Sequence, residues 1–226
     1  MPYQLGCLYL LGFIRGLFVI VQIDHFKNII FDLGGVIINL EEERTIKRFA
    51  AVSRLSEEAL RDQILKFEEY KAYEKGLLSD ELFRQIIRER FLINAGDDEI
   101  DSCMNAMLLD IPVERLQLLN RISNRFKLFL LSNTNSIHFR KFSEIIGDLT
   151  GTHSIDSFFN KAYYSHKVGM RKPDKEIFEK VLSDNQLDPG STLFIDDNES
   201  NIEGGKSLGI SVFHLTRPSQ LFDLFS

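Results

Sequence analysis

Four short apolar runs in this chain each stop abruptly at polar residues, and that repetition constrains the fold more than any other feature. Asn28-Ile29-Ile30-Phe31 runs into Asp32-Leu33-Gly34-Gly35, and Phe126 to Leu131 runs into Ser132-Asn133-Thr134-Asn135. Lys161 to Ser165 leads through Lys167-Val168-Gly169-Met170-Arg171 to Lys172, and Thr192 to Ile195 runs into Asp196-Asp197-Asn198. Short apolar stretches bounded by turn residues read as buried strands. Helical stretches separate them: about Ile137 to Ile146, Asp174 to Leu182 behind Pro173, and Asn201 to Leu208 ended by Gly209. Ile210 to Leu215 reads as a last strand. Strand and helix in alternation predict an α/β protein with a doubly wound parallel sheet.

From Glu41 to about Asp110 the texture changes, with apolar residues at helical spacing and no convincing strand. Ile46, Phe49 and Ala50 share one face, as do Leu60, Ile64 and Leu65. Gly76 ends one helix, and Ser79 caps the next. The expected organisation is a Rossmann-like core from residues 25–40 and 111–226, a helical cap over 41–110, and an apolar extension over 1–24. That extension, Tyr3 to Ile23, is close to the ~20 residues a membrane span needs. Arg15 near its centre would be costly in a bilayer. It lacks a basic start and a small-residue cleavage site, so it is not read as a secretory signal. The reading adopted is translation beginning near Val19 to Ile23, with a signal anchor as the alternative. The 226 residues carry 27 Lys+Arg against 33 Asp+Glu, a net charge of -6, which gives no footprint for nucleic acid. Two cysteines cannot build a disulfide framework, and a cytoplasmic protein without an obligate partner is expected.

In such a sheet, ligands bind beyond the carboxyl ends of the strands. Asp32, Ser132, Lys172, Asp196 and Asp197 would therefore converge on one crevice. The three carboxylates repel one another, and a divalent cation relieves that. Oxygen ligands suit Mg2+ together with a phosphate, and Lys172 adds positive charge for the same phosphate. Gly34 and Gly35 let backbone N–H groups approach an anion. A carboxylate nucleophile there suits formation of an aspartyl phosphate.

These residues resemble the four motifs of the haloacid dehalogenase superfamily: Ile29 to Ile37, Leu130-Leu131-Ser132-Asn133, Lys172-Pro173, and Phe194 to Asn198. Order and spacing match from about Lys27 onward, with the helical block where that family inserts a cap. Ser132 to Asn135, Gly169 to Pro173 and Asp196-Asp197-Asn198 with Asn201 to Gly204 are similar to its sugar-phosphatase-like subgroup, of the α-glucose-1-phosphate phosphatase type. The resemblance implies a Mg2+-dependent phosphatase acting on a small-molecule phosphate ester. Asp32 would be nucleophile and metal ligand, and the Gly34 carbonyl a further ligand. Ser132 would hold the phosphoryl group, with Leu33 and Asn133 beside it. Lys172 would steady nucleophile and phosphate, Asp197 would bind metal, and Asp196 would be ligand or support. Tyr73, Glu74 and Lys75 are the expected cap loop dipping into the crevice. One departure stands out: most phosphatases of the superfamily carry an Asp two residues after the nucleophile, where this chain has Gly34. That keeps a non-catalytic phospho-ligand-binding protein in play. Dehalogenation of 2-haloacids is a second alternative. Phosphonate cleavage, a third, wants a Schiff-base lysine such as Lys66, Lys71 or Lys75. Gly204-Gly205-Lys206-Ser207 is not a phosphate loop, because it lies within a helix pattern.

Overall fold

The computed structural model describes residues 11–14, 17–20 and 23–226 apart from residue 153. Strands β1 (Leu11–Ile14) and β2 (Leu17–Ile20) pair antiparallel as a separate two-stranded sheet. The rest of the N-terminal extension lies outside the described residues, and the start-site reading, near Val19 to Ile23, and the anchor reading, over Tyr3 to Ile23, fall partly on it. Among the described residues, no helix is long and apolar enough to cross a membrane.

The main sheet has five strands: β3 (Asn28–Phe31), β4 (Lys127–Ser132), β5 (Lys161–Tyr164), β6 (Thr192–Asp196) and β7 (Ser211–His214). Their order is β5-β4-β3-β6-β7, and every neighbouring pair is parallel. Side chains alternate across it, as a strand's two-residue period requires. Ile29, Phe31, Leu128, Leu130, Leu193 and Ile195 enter one apolar cluster. Ile30, Phe129, Leu131 and Phe194 enter another with Ile177, Phe178 and Val181. Both faces of the sheet are thus covered, which explains why its strands read as continuous apolar runs rather than alternating ones.

Between β3 and β4 come α1 (Glu42–Val52), α2 (Glu57–Leu65), α3 (Glu68–Glu74), α4 (Asp80–Arg90) and α5 (Asp97–Asn105). Ser79 caps α4 by accepting from Leu82 N–H, and Gly76 takes the left-handed conformation that closes α3. The five helices gather an apolar cluster of their own, in which Phe67 stacks on Phe83 at 5.6 Å and meets Phe91 edge-on at 5.2 Å.

The remaining helices are α6 (Val113–Ile122), α7 (Ser136–Thr150), α8 (Ser165–Val168), α9 (Lys175–Asn185), α10 (Glu199–Lys206) and α11 (Ser219–Leu224). The sequence reading did not place α6, α8 or α11. α8 and α11 are short, and none of the three has a side-chain cap to mark its start. Pro173 was expected to open α9, but the helix begins two residues later at Lys175.

His138, on α7, is buried. Its Nε2 donates to the Met104 carbonyl at 3.1 Å, and its Nδ1 accepts from the Asn135 amide at 3.2 Å. Burial pushes its pKa down to about 4. The unfolded chain, with histidine near ~6.5, therefore binds the proton more tightly than the folded one. His138 contributes stability present above pH ~6.5 and lost as pH falls toward about 4, amounting to roughly 3 kcal/mol at ~1.4 kcal/mol per unit. His138→Gln is expected to make denaturant stability less dependent on pH across that window. Equal slopes for both proteins would contradict the assignment. His166, also held down to about 4, is present in both and cancels.

Candidate active site

Parallel register sets the site. Phe31 lies opposite both Leu130 and Ile195, so Asp32 emerges level with the end of β6. Asp32 N–H donates to the Ile195 carbonyl at 2.9 Å, which ties the first residue after β3 to its neighbour. Ser132 and Asp196 are the last residues of their strands. Asp32 and Ser132 border a cavity of about 320 Å3, together with Leu33, Gly34, Asn133, Lys172 and Asp197, while Asp196 is buried beneath it against Lys172.

Lys172 organises the floor. Its side chain is fully buried, and its Nζ lies 2.8 Å from Asp32 Oδ1 and 2.6 Å from Asp196 Oδ2. Burial alone would lower the ammonium pKa, but Asp196 and Asp32 outweigh it and hold the pKa above its ordinary value. Asp32 moves the opposite way from most paired carboxylates. Burial raises its pKa, Lys172 pulls it down, and Asp196 and Asp197 push it up again, leaving it well above the usual carboxylate range. Burial and Asp196 raise Asp197 as well.

Carboxylate oxygens of Asp32, Asp196 and Asp197 lie within 4.8 Å of one another. They are not equivalent. Asp196 accepts from Lys172 Nζ, from Asn198 N–H at 2.8 Å, and from the Asn201 amide at 3.0 and 3.1 Å. Each of its two oxygens thus already accepts two hydrogen bonds. Asp32 and Asp197 keep acceptor capacity facing the cavity. Gly35 makes room for this: its φ is +68°, and a Cβ there would sit 2.0 Å from Asp197 Oδ2.

Other expected residues are placed as follows. Asn133 borders the cavity, but its amide is committed to the Lys172 backbone, donating to the carbonyl at 2.9 Å and accepting from the N–H at 2.8 Å. It holds the lysine loop in place. Glu74 reaches the cavity, where it is buried and pairs with Arg171 Nε at 2.9 Å. That ion pair ties α3 to the loop carrying Lys172. Tyr73 does not border the cavity. Its ring stacks on Phe83 at 3.8 Å, and its hydroxyl donates to Asp80 at 2.7 Å. Lys75 also points elsewhere, to Asp174 at 2.8 Å. Residues 73, 74 and 75 follow one another at about 100° around a helix end, so one of the three can face the crevice. Asn201 and Arg171 are site residues that the sequence reading quoted without assigning them a task. Gly204 and Gly205 lie in α10, where a Cβ on Gly204 would meet the Pro173 carbonyl at 2.7 Å. Those glycines allow close packing and hold no phosphate.

Four strand ends, a buried lysine bridging two carboxylates and a third acid beside them match the motif order read from the sequence. The haloacid dehalogenase-like hydrolase family description matches residues 26–209. The chain belongs to that family. It is 27% identical to D-ribitol-5-phosphate phosphatase of Bacteroides thetaiotaomicron over 83% of this chain and 90% of that one. It is 22% identical to a sesquiterpene phosphatase of Aspergillus oryzae over 84% of this chain and 90% of the relative. A family enzyme from B. thetaiotaomicron, solved with magnesium and inorganic phosphate, superposes with a TM-score of 0.74 at 36% identity, covering 84% of this chain and 93% of that one. This haloacid dehalogenase-like chain shares its fold with that solved enzyme, and in it β3 runs into Asp32 while β4 and β6 end at Ser132 and Asp196.

Proposed function

We propose that this haloacid dehalogenase-like hydrolase cleaves small phosphate monoesters with Mg2+, sugar phosphates among them, through an aspartyl phosphate on Asp32. The observation that carries this reading is the Lys172 bridge between Asp32 and Asp196, with Asp197 across the same cavity. The donor set fits a hard divalent cation: all its side-chain ligand atoms are carboxylate oxygens within 4.8 Å of one another, and burial, then repulsion from Asp196, raises the pKa of both Asp32 and Asp197. Asp32, Asp197 and the Gly34 carbonyl would hold Mg2+. When bound, the cation supplies positive charge to the phosphoryl oxygens.

The side chains then divide the work. Lys172 orients the Asp32 carboxylate and neutralises charge on the transferring group. An Asp32 oxygen attacks phosphorus, the bond from phosphorus to the leaving oxygen breaks, and Ser132 donates a hydrogen bond to the phosphoryl group. Water next attacks phosphorus, the bond to Asp32 breaks, and inorganic phosphate leaves with the carboxylate restored. The polar walls and the ribitol-phosphate relative support a sugar phosphate, and the sesquiterpene phosphatase shows that leaving groups vary among relatives. Phosphonate cleavage loses support, because Lys66, Lys71 and Lys75 are paired with Asp62, Glu68 and Asp174 away from the reacting carboxylate. Screening phosphorylated metabolites with Mg2+ and with chelator tests the reading. Turnover of haloacids in chelator would replace it with the dehalogenase alternative, and binding without turnover would replace it with the sensor.

Gly34 shapes the rate. No side chain at that position protonates the departing oxygen, and general acid catalysis is typically worth ~10²–10⁴-fold. kcat/KM is therefore expected to fall steeply as leaving-group pKa rises along a series of phosphate esters. Gly34 lies outside the left-handed region, and an added Cβ meets only the tip of Leu40, at 2.7 Å from Cδ1. Gly34→Asp is thus accommodated by a shift of Leu40, and it is expected to flatten the slope. A flat series in the unaltered protein would show that another group already supplies the proton.

A further inference from the structure

We infer that, beyond sugar phosphates, this enzyme accepts phosphate esters whose leaving group carries an apolar alkyl or aryl portion, housed in a second chamber inside the helical block. The inference rests on the phosphatase reading above and names its substrate class. The chamber holds about 290 Å3, and Phe49, Ile64, Phe67, Phe91, Met104 and Met107 form much of its wall. It adjoins the phosphate cavity directly: Glu42, Tyr70, Met107, His138 and Arg171 border both spaces.

Two features set the chemistry of the occupant. First, the phosphoryl end is fixed by Lys172 and the carboxylates, so whatever enters the chamber is the far end of the same molecule. Second, several polar groups on the chamber wall are already committed. Thr45 Oγ donates to the Cys103 and Met104 carbonyls at 3.0 Å and accepts from Met107 N–H at 3.2 Å. The His138 ring is held by Met104 and Asn135, and Lys71 pairs with Glu68 at 2.9 Å. Glu42, Tyr70 and Arg171 stand at the junction with the phosphate cavity, but among Phe49, Ile64, Phe67, Phe91 and Met104, which border the chamber alone, a polyol hydroxyl would give up water without a side-chain partner, which is costly. An apolar group loses nothing and gains burial. Methionine walls, here Met104 and Met107, adapt to irregular apolar shapes.

The test is calorimetric binding of n-alkylphosphonates, from methyl through butyl and hexyl to octyl, to the Mg2+-loaded protein. These probes are not hydrolysed, so chamber and catalysis are read separately. Each buried methylene is worth ~0.8 kcal/mol, or roughly fourfold in Kd. Kd is expected to fall at least twofold per added methylene until the chamber fills. Ile64→Phe, which fills part of the chamber from α2, is expected to cut the methyl-to-octyl ratio at least tenfold. If that variant does not fold, the series on the unaltered protein decides alone. A Kd independent of chain length overturns the chamber, while continued hydrolysis of phosphate esters would leave the phosphatase reading intact. A falling Kd without hydrolysis of any ester leaves the chamber standing and removes the phosphatase reading.

Discussion

Asp32→Asn is expected to lower phosphate ester hydrolysis by at least ~10⁴-fold while leaving the fold intact. An amide is nearly isosteric with the carboxylate but is a poor nucleophile, and loss of a covalent nucleophile removes the chemical route itself. The same substitution is expected to leave the Mg2+-free protein at least as stable. Burial, Asp196 and Asp197 all disfavour charge on Asp32, and Lys172 keeps Asp196 as a partner after the change. Stabilisation by Mg2+ is expected to shrink, since one ligand is lost and a ligand stabilises in proportion to its binding. Steady-state kinetics and thermal melts with Mg2+ and with chelator measure both effects. Turnover well above that of a mock-purified control would remove Asp32 from its proposed role.

Lys172→Met carries the largest expected stability cost. The change leaves Asp32 and Asp196 buried around an uncharged side chain, with the Asn201 amide still holding Asp196. Removing one partner of a buried ion pair costs about 3–5 kcal/mol. At ~2–4 °C per kcal/mol for a chain of this size, Tm is expected to drop by roughly 6–20 °C. Lys172→Arg keeps the charge, but a planar guanidinium cannot replace an ammonium seated 2.6 and 2.8 Å from two carboxylates. That variant is expected to recover part of the stability and little of the activity. An unchanged Tm in Lys172→Met would mean that the two carboxylates are protonated or solvated, contrary to the geometry above.

The strand-end residues were legible because each apolar run stops where the sheet stops. Asp32, Ser132 and Asp196 are marked by the polar residues that stop each run, a local signal, and the parallel register then brings those strand ends level. The groups that hold them in place were harder to see. Asn133 and Asn201 act through amide contacts with Lys172 and Asp196, which are 39 and 5 residues away, and an asparagine carries no local mark of its partner. Arg171 stood in the sequence only as part of the run leading to Lys172. Its ion pair with Glu74 depends on how α3 lies against the core, which periodicity does not encode. Tyr73 was expected at the crevice with the cap loop just before Gly76, but stacking on Phe83 directs it into the helical cluster instead.

The central claim is a covalent phosphoryl group on Asp32. It is tested most directly by quenching the Mg2+-loaded enzyme during turnover of an aryl phosphate, reducing with borohydride, and mapping the peptides by mass spectrometry. An aspartyl phosphate is an activated acyl group and is reduced, whereas a free carboxylate is not. The account predicts homoserine at position 32, absent in chelator and absent without substrate. Steady hydrolysis with an unmodified Asp32 under the same quench, or homoserine at another position, would contradict it.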